Sequence, residues 1–277
     1  MNPEGQVSVE LQGVPETLLW TLYHRATEAG RPDTVLPDPK AVELLARIDF
    51  PFESRFGPAS PVRAQWQALR AACFDRQVVR FLADRPDATV VALGEGLETQ
   101  FWRVDNGRVR WVTVDLPETI AVRRELLPEP PRGRVVAGSA LDTRWLDEVD
   151  TAAGVLVTAQ GLLMYLAPAD VHGLLRACAA RIPTGAVVFD AVSRRLSERS
   201  MRGQLASTGG YAPPPWTWGM DAQERRFIRS LDHVAALETL RLPRGRGPLF
   251  GYLVPVLGRL PRLREGLLSI MRARLGG

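Results

Sequence analysis

The residue types that could do chemistry lie just after short apolar runs. Gly94-Glu95-Gly96-Leu97-Glu98-Thr99 follows the run Thr89–Leu93, and Asp115 closes the run that begins at Arg110. Glycines in such a turn let a ligand approach the backbone. Asp115 stands 21 residues after Gly94, the spacing at which an acid takes two ribose hydroxyls. An acid there also argues against a 2′-phosphate, and so against NADP. Next come Gly138-Ser139-Ala140-Leu141-Asp142, a candidate adenine edge, then Gln160-Gly161 and Asp190. Dinucleotide sites require a third glycine at the sixth position of the motif to pack around a pyrophosphate. Here that position is Thr99. S-adenosyl-L-methionine has ribose and adenine without pyrophosphate, so the pattern favours it over NAD, which stays open as the alternative.

The elements that must position these residues follow from periodicity. Residues 1–85 read as a helical region. Leu18, Leu19, Leu22 and Tyr23 mark one helix; Val62, Trp66, Leu69, Cys73, Phe74, Val78, Phe81 and Leu82 mark a second. From about residue 88, the apolar runs Thr89–Leu93, Arg110–Val114, Arg134–Ala137, Gly154–Ala159 and Ala186–Phe189 alternate with helical segments. Val171, Leu174, Leu175, Cys178 and Ile182 form one helical face. Alternation of this kind predicts an α/β fold with a parallel, Rossmann-like sheet covered on both faces. Val234–Leu240 and Pro248–Val254 are expected as two final strands in an antiparallel C-terminal hairpin, making seven strands in all. The expected division is a helical cap over 1–85 and a core over 86–277, with a Gly/Pro-rich loop inserted at about 195–220. Leu260, Leu263, Leu267, Met271 and Leu275 repeat at helical spacing among arginines, which predicts a basic amphipathic C-terminal helix. It would pack on the sheet or, as an alternative, rest on a membrane surface.

Charge and composition narrow the classes. The 277 residues carry 35 Lys and Arg against 31 Asp and Glu, but residues 241–277 hold eight arginines and a single acid. The net charge of +4 is therefore a tail of +7 on a body of −3, which excludes the basic body of a nucleic-acid binder. Three histidines and two cysteines show no metal-ligand spacing, so no metal is expected. Cys73 and Cys178 fall at apolar helical positions, as in a reducing compartment. The first ten residues lack a signal-peptide pattern and no run is apolar enough to span a bilayer, so a cytoplasmic protein without an integral membrane segment is expected. Homo-oligomerisation stays open.

With these residues in view, the chain resembles a known family. Leu93-Gly94-Glu95-Gly96-Leu97-Glu98-Thr99-Gln100 resembles the Gly-x-Gly-Leu-Asp-Thr-Arg signature of the leucine carboxyl methyltransferase family, whose bacterial branch includes tetracenomycin-type polyketide O-methyltransferases. Trp111–Pro117, Gln160-Gly161-Leu162-Leu163-Met164-Tyr165-Leu166, Phe189-Asp190-Ala191, Trp218-Gly219-Met220-Asp221, and Leu22-Tyr23-His24-Arg25-Ala26 with Asp38-Pro39 have counterparts there. The resemblance implies a class I S-adenosyl-L-methionine-dependent O-methyltransferase. It implies a cofactor site of Gly94, Gly96, Glu98, Asp115, Leu116, Ser139, Ala140, Leu141, Asp142 and Gln160, with Arg25 or Arg70 as the cation for the methionine carboxylate. Gln160 and Asp190 are the catalytic candidates. Tyr165, Trp216 and Trp218 are expected around a small-molecule acceptor. No histidine follows a strand, which favours a carboxylate nucleophile that needs no base, with Asp190 or a tyrosine available to assist a phenol. Two departures, Gln100 for Arg and Gln160 for Glu, keep open a cofactor-binding protein without turnover.

Overall fold

A computed structural model describes residues 6–205, 211–259 and 268–276. Two short strands, β1 (Val7–Ser8) and β2 (Ile48–Asp49), pair parallel among the first helices. These helices are α1 (Thr17–Ala29), α2 (Pro39–Arg47), α3 (Phe52–Phe56) and the 24-residue α4 (Pro61–Asp84). The main sheet has seven strands: β3 (Thr89–Leu93), β4 (Arg110–Asp115), β5 (Gly133–Ala137), β6 (Val155–Ala159), β7 (Gly185–Ala191), β8 (Val234–Leu240) and β9 (Ser269–Leu275). Their spatial order is β5-β4-β3-β6-β7-β9-β8, all parallel except β9, which runs antiparallel to both neighbours. The chain order reverses between β3 and β6, and in an open parallel sheet a ligand crevice forms there, beyond the strands' carboxyl ends.

Period-two alternation builds the layers. Val90, Ala92, Leu156, Ala186 and Val188 pack against Cys73, Phe74, Val78 and Leu82 of α4 and against Phe101 and Val104 of α5 (Gln100–Val104). Val91, Leu93, Val157, Ala159, Val187 and Phe189 face the other way, onto Val171, Leu174, Leu175 and Cys178 of α7 (Pro168–Arg181) and Ile228 of α9 (Ala222–Arg229). Between these lie α6 (Pro117–Leu126), after β4, and α8 (Arg194–Met201), after β7. The strand ends β3, β4, β5, β6 and β7 fall within a residue or two of the runs read from the sequence.

Two expectations are corrected. Residues Leu249–Leu253 form a π-helical turn that runs into the short helix α10 (Val254–Leu257), so Pro248–Val254 is not a strand. The seventh strand is β9, and Met271 and Leu275 lie in it rather than on an amphipathic helix. A separation of four residues preserves the face of a helix and equally of a strand, so the two residues fit both periods. Neighbouring β7 is buried at all seven positions and hydrogen-bonds to β9 from Gly185 to Ala191, a ladder that an isolated helix cannot supply. Leu260, Leu263 and Leu267 lie outside the described residues. Among the described residues no helix is long and apolar enough to cross a membrane.

The first helices are fastened to the sheet by buried charge. Arg25 donates from Nε to Asp38 Oδ2 and from NH1 to Glu98 Oε2, both at 3.0 Å. Arg103 reaches Asp38 at 2.7 Å, Asp75 at 2.7 Å and Glu98 at 2.9 Å. Asp38 also caps α2 by accepting from the Ala41 amide, and Thr99 Oγ1 donates to it at 2.7 Å. Farther along, Arg246 pairs with the fully buried Glu28 of α1, so the β8–β9 connection grips the same helix. Burial alone would raise the Glu98 carboxyl, but the Arg25 and Arg103 guanidiniums overcome it and hold the group at about 2. Its folded value thus lies below the ordinary 4.5, so its stabilisation is complete above pH 4.5 and lost as pH falls toward 2. The upper bound on that stabilisation is about 3 kcal/mol. Urea midpoints should therefore show Glu98→Gln well below wild type at pH 7, with the gap shrinking as the pH falls below 4.5. A gap independent of pH would refute this role for the charge.

Candidate active site

The loop after β3 is shaped by its glycines and pinned by its neighbours. Gly94 and Gly96 hold φ of +61° and +54°, a region that costs side-chain-bearing residues strain. In that curl the Gly96 amide donates to Asp115 Oδ2 at 2.7 Å. The Leu116 amide donates to Asp115 Oδ1 at 2.8 Å. Arg123 of α6 donates from NH1 to the carbonyls of Gly96 and Glu98, at 2.7 and 2.9 Å. Glu95 turns inward, accepting from Trp111 Nε1 and Thr113 Oγ1 and pairing with Arg123 at 3.0 Å.

Above this loop lies a cavity of about 320 Å³ at the crevice predicted by the strand order. Arg25, Arg70, Gly94, Gly96, Glu98, Asp115, Leu116, Ser139, Ala140, Leu141 and Gln160 all line it. The residues fit S-adenosyl-L-methionine. Each Asp115 oxygen accepts one backbone amide and has acceptor capacity beyond it, which suits a ribose hydroxyl pair. Leu116 and Leu141 line the cavity and expose apolar surface, 36% and 37%, which suits an adenine ring. Arg70 Nε is buried without a hydrogen-bond partner among the described residues, a donor that suits a carboxylate.

The two candidate cations divide. Arg25 is spent on Asp38, Glu98 and the Leu97 carbonyl, so it acts as a clamp at the cavity wall. Arg70 of α4 commits NH1 to Asp190 Oδ2 at 2.9 Å, and Asp190 Oδ1 accepts from the Gly161 amide at 2.7 Å. Gln160 donates from Nε2 to Glu98 Oε2 at 3.0 Å. Asp142 does not reach the cavity. Its carboxylate caps the 3₁₀ turn Thr143–Glu148 and pairs with Arg144.

A second cavity, about 330 Å³, adjoins the first. Thr17, Thr21, Arg70, Gly161 and Tyr165 line both. Trp20, Trp66, Tyr211 and Trp216 give the second an aromatic lining, with Met164 and with Arg63 and Gln67 of α4. No histidine lines either cavity. Tyr165 is raised above its usual value, chiefly by burial, so it stays protonated near neutrality. Its hydroxyl sits near Thr17 and Trp216, which partly offset that rise. The 216–217 segment is fixed by donation from Trp216 N to Ser200 Oγ and from Thr217 N to the Met164 carbonyl. Trp218 is a correction: it is 1% exposed, packs near Phe189 and donates from Nε1 to Glu224 at 3.2 Å, so it is core rather than cavity lining. Sequence reasoning missed Trp20, Arg63, Gln67 and Tyr211. One signal was present in α4, where Arg63, Gln67 and Arg70 recur at helical spacing within an otherwise apolar stripe.

Comparison with known proteins agrees with this geometry. The sequence pattern of the leucine carboxyl methyltransferase family matches residues 19–179. The tetracenomycin polyketide synthesis O-methyltransferase TcmP of Streptomyces glaucescens is 41% identical over 186 residues, 67% of this chain and 68% of that protein. The S-adenosyl-L-methionine-dependent methyltransferase dpfgK of Gibberella zeae is 33% identical over 183 residues, 61% of each chain. Among solved structures, a possible exported protein from Bordetella parapertussis superposes with a TM-score of 0.52 at 16% identity, covering 96% of this chain and 98% of that one. A DUF574 family protein from Streptomyces avermitilis gives 0.51 at 16% identity, covering 91% and 97%; at such identities these two speak for the fold alone. The glycine loop and Asp115 thus fall within the matched span, and the chain belongs to the leucine carboxyl methyltransferase family, as an S-adenosyl-L-methionine-dependent methyltransferase.

Proposed function

We propose that the protein methylates a carboxylate oxygen of a small aromatic, polyketide-like acceptor in the cytoplasm. The observation that carries this reading is the junction of the two cavities at Arg70, Gly161 and Tyr165. One side suits the cofactor, and the other offers an aromatic lining with arginines. S-adenosyl-L-methionine, when bound, supplies an electrophilic methyl group that an acceptor oxygen takes by in-line displacement. The chain supplies position and a dry enclosure. In this reading Asp115 holds the ribose, Leu116, Ser139, Ala140 and Leu141 flank the adenine, and the Gly94 and Gly96 backbone lies along the methionine portion. Glu98, with Gln160 on it, offers negative charge to the amine. Arg70 takes the methionine carboxylate through its free Nε–H while Asp190 holds the guanidinium in place. Residues 1–85 act as the cap that closes the site.

The nucleophile follows from what the second cavity lacks. A carboxylic acid with a pKa near 4 is ionised at neutral pH, whereas a phenol near 10 needs a base. Asp190 is held by Arg70 and the Gly161 amide, and Tyr165 stays protonated, so no free base faces the acceptor. Arg63 favours an anion there. Gln160 and Asp190 therefore act as positioning residues, not as proton carriers. A phenol acceptor is the second reading, and cofactor binding without turnover the third.

Calorimetry with S-adenosylhomocysteine should show binding weakened at least about tenfold by Asp115→Ala, since two charge-assisted hydrogen bonds are lost, and no binding of NAD. Unchanged affinity in the variant would remove Asp115 from the site. Incubation with labelled S-adenosyl-L-methionine and aromatic acids should give base-labile methyl esters, at a rate flat between about pH 6 and 9 because the carboxylate is already ionised. Base-stable ethers formed faster at high pH would move the reading to a phenol. Cofactor binding with no product from either class would favour the non-catalytic alternative.

A further inference from the structure

The second cavity holds more unpartnered polar groups than transfer to a single oxygen uses. The Tyr211 hydroxyl and Gln67 Oε1 are both buried without a hydrogen-bond partner among the described residues. The residues are 4% and 5% exposed, and both line the second cavity but not the first. An unpaired buried polar atom costs about 1–3 kcal/mol, and such groups in a cavity wall mark where a ligand supplies the missing partner.

The Tyr211 side chain is held in place. The Tyr211 ring meets Phe56 edge-on at 4.8 Å. The Arg55 guanidinium lies 5.2 Å from its centroid and is fixed in turn by Glu16 at 2.6 Å. Burial, then the neighbouring Tyr165 and Glu16, raise the Tyr211 hydroxyl well above its usual value, so it remains a donor. Gln67 stands one helical turn before Arg70 on α4. Trp20, Trp66 and Met164 supply apolar surface in the same cavity.

Resting on the acceptor reading above, we infer that Tyr211 and Gln67 are specificity residues. They select aromatic acids that carry a second oxygen function on the ring system, away from the oxygen that is methylated. Tyr211 donates to that second oxygen. Where it is a hydroxyl, its own proton goes to Gln67 Oε1; where it is a carbonyl, the Gln67 amide turns its nitrogen toward it. Neither residue touches the reacting atoms.

The test compares 6-hydroxy-2-naphthoic acid with 2-naphthoic acid by calorimetry on the full chain saturated with S-adenosylhomocysteine. Wild type should bind the hydroxylated acid about tenfold more tightly, the scale of one well-made hydrogen bond. Tyr211→Phe and Gln67→Met should each bring the ratio to within about threefold of unity, with affinities for 2-naphthoic acid and S-adenosylhomocysteine unchanged. The unchanged cofactor-product affinity shows that the variants fold. Equal binding of the two acids by wild type, a ratio preserved in both variants, or no binding of either acid overturns the inference. Selective binding without methyl ester on addition of S-adenosyl-L-methionine leaves this assignment standing and removes the methyl-transfer reading instead.

Discussion

Everything in the site depends on holding residues 94–99 still. The loop has no regular structure of its own, and its glycines are free to take many other conformations, so its geometry must be imposed from outside. Opposed charges do this. Asp115 accepts from the Gly96 amide on one side, and Arg123 donates to the Gly96 and Glu98 carbonyls on the other. Glu98 is gripped by Arg25 of α1 and by Arg103 of α5. Buried ion pairs of this kind are weak evidence for net stability, because desolvation offsets much of their attraction. What they give is position. Removing any one partner leaves an uncompensated charge, so the loop has few other arrangements open to it.

The same cluster accounts for the two departures from the family signature. Gln100, where the signature has arginine, donates to Asp75 Oδ1 at 2.9 Å, and Arg103, one turn later, takes the other oxygen of the same carboxylate. A guanidinium thus still neutralises Asp75. Gln160, where the related segment has glutamate, donates to Glu98 rather than repelling it. With glutamate at 160 the wall would hold two adjacent carboxylates; with glutamine it holds one, tied by an amide. At that wall the negative charge sits on Glu98 alone. The departures redistribute charge within a network that remains closed, and so they do not argue for a lost site.

How much of this was legible follows from where each part lies in the chain. Strand ends are local: an apolar run followed by Gly94, Asp115, Ser139, Gln160 or Asp190 can be read without knowing the fold, and the parallel topology brings those ends together automatically. The second cavity is not local. It gathers α1, α4, the turn at 163–165, the 211–216 segment and the start of β9, and no spacing rule connects them. Trp216 and Trp218 show the limit most sharply. They are two residues apart in one Pro-rich segment, yet one lines the cavity and the other is core, because their alternation about Thr217 is set by hydrogen bonds to Met164 and Leu166 that the sequence does not announce. The misreading of β9 has a related cause. Its Met271 and Leu275 satisfy helix and strand periods alike, and only the unpaired edge of β7 decides between them.

The arrangement also separates two jobs that one cation would otherwise share. A guanidinium at the junction of two cavities attracts anions from both, and an acceptor carboxylate drawn onto it would compete with the cofactor's own. Asp190 bears on this directly. By holding Arg70 NH1 at 2.9 Å it fixes the plane of the guanidinium and cancels much of its charge, while Nε stays free. Discrimination in the second cavity must then come mainly from shape and from neutral donors and acceptors. That is where an aromatic wall with Tyr211 and Gln67 is better suited than further charge, since a neutral hydrogen bond rejects an acceptor that lacks its partner without binding every anion that enters.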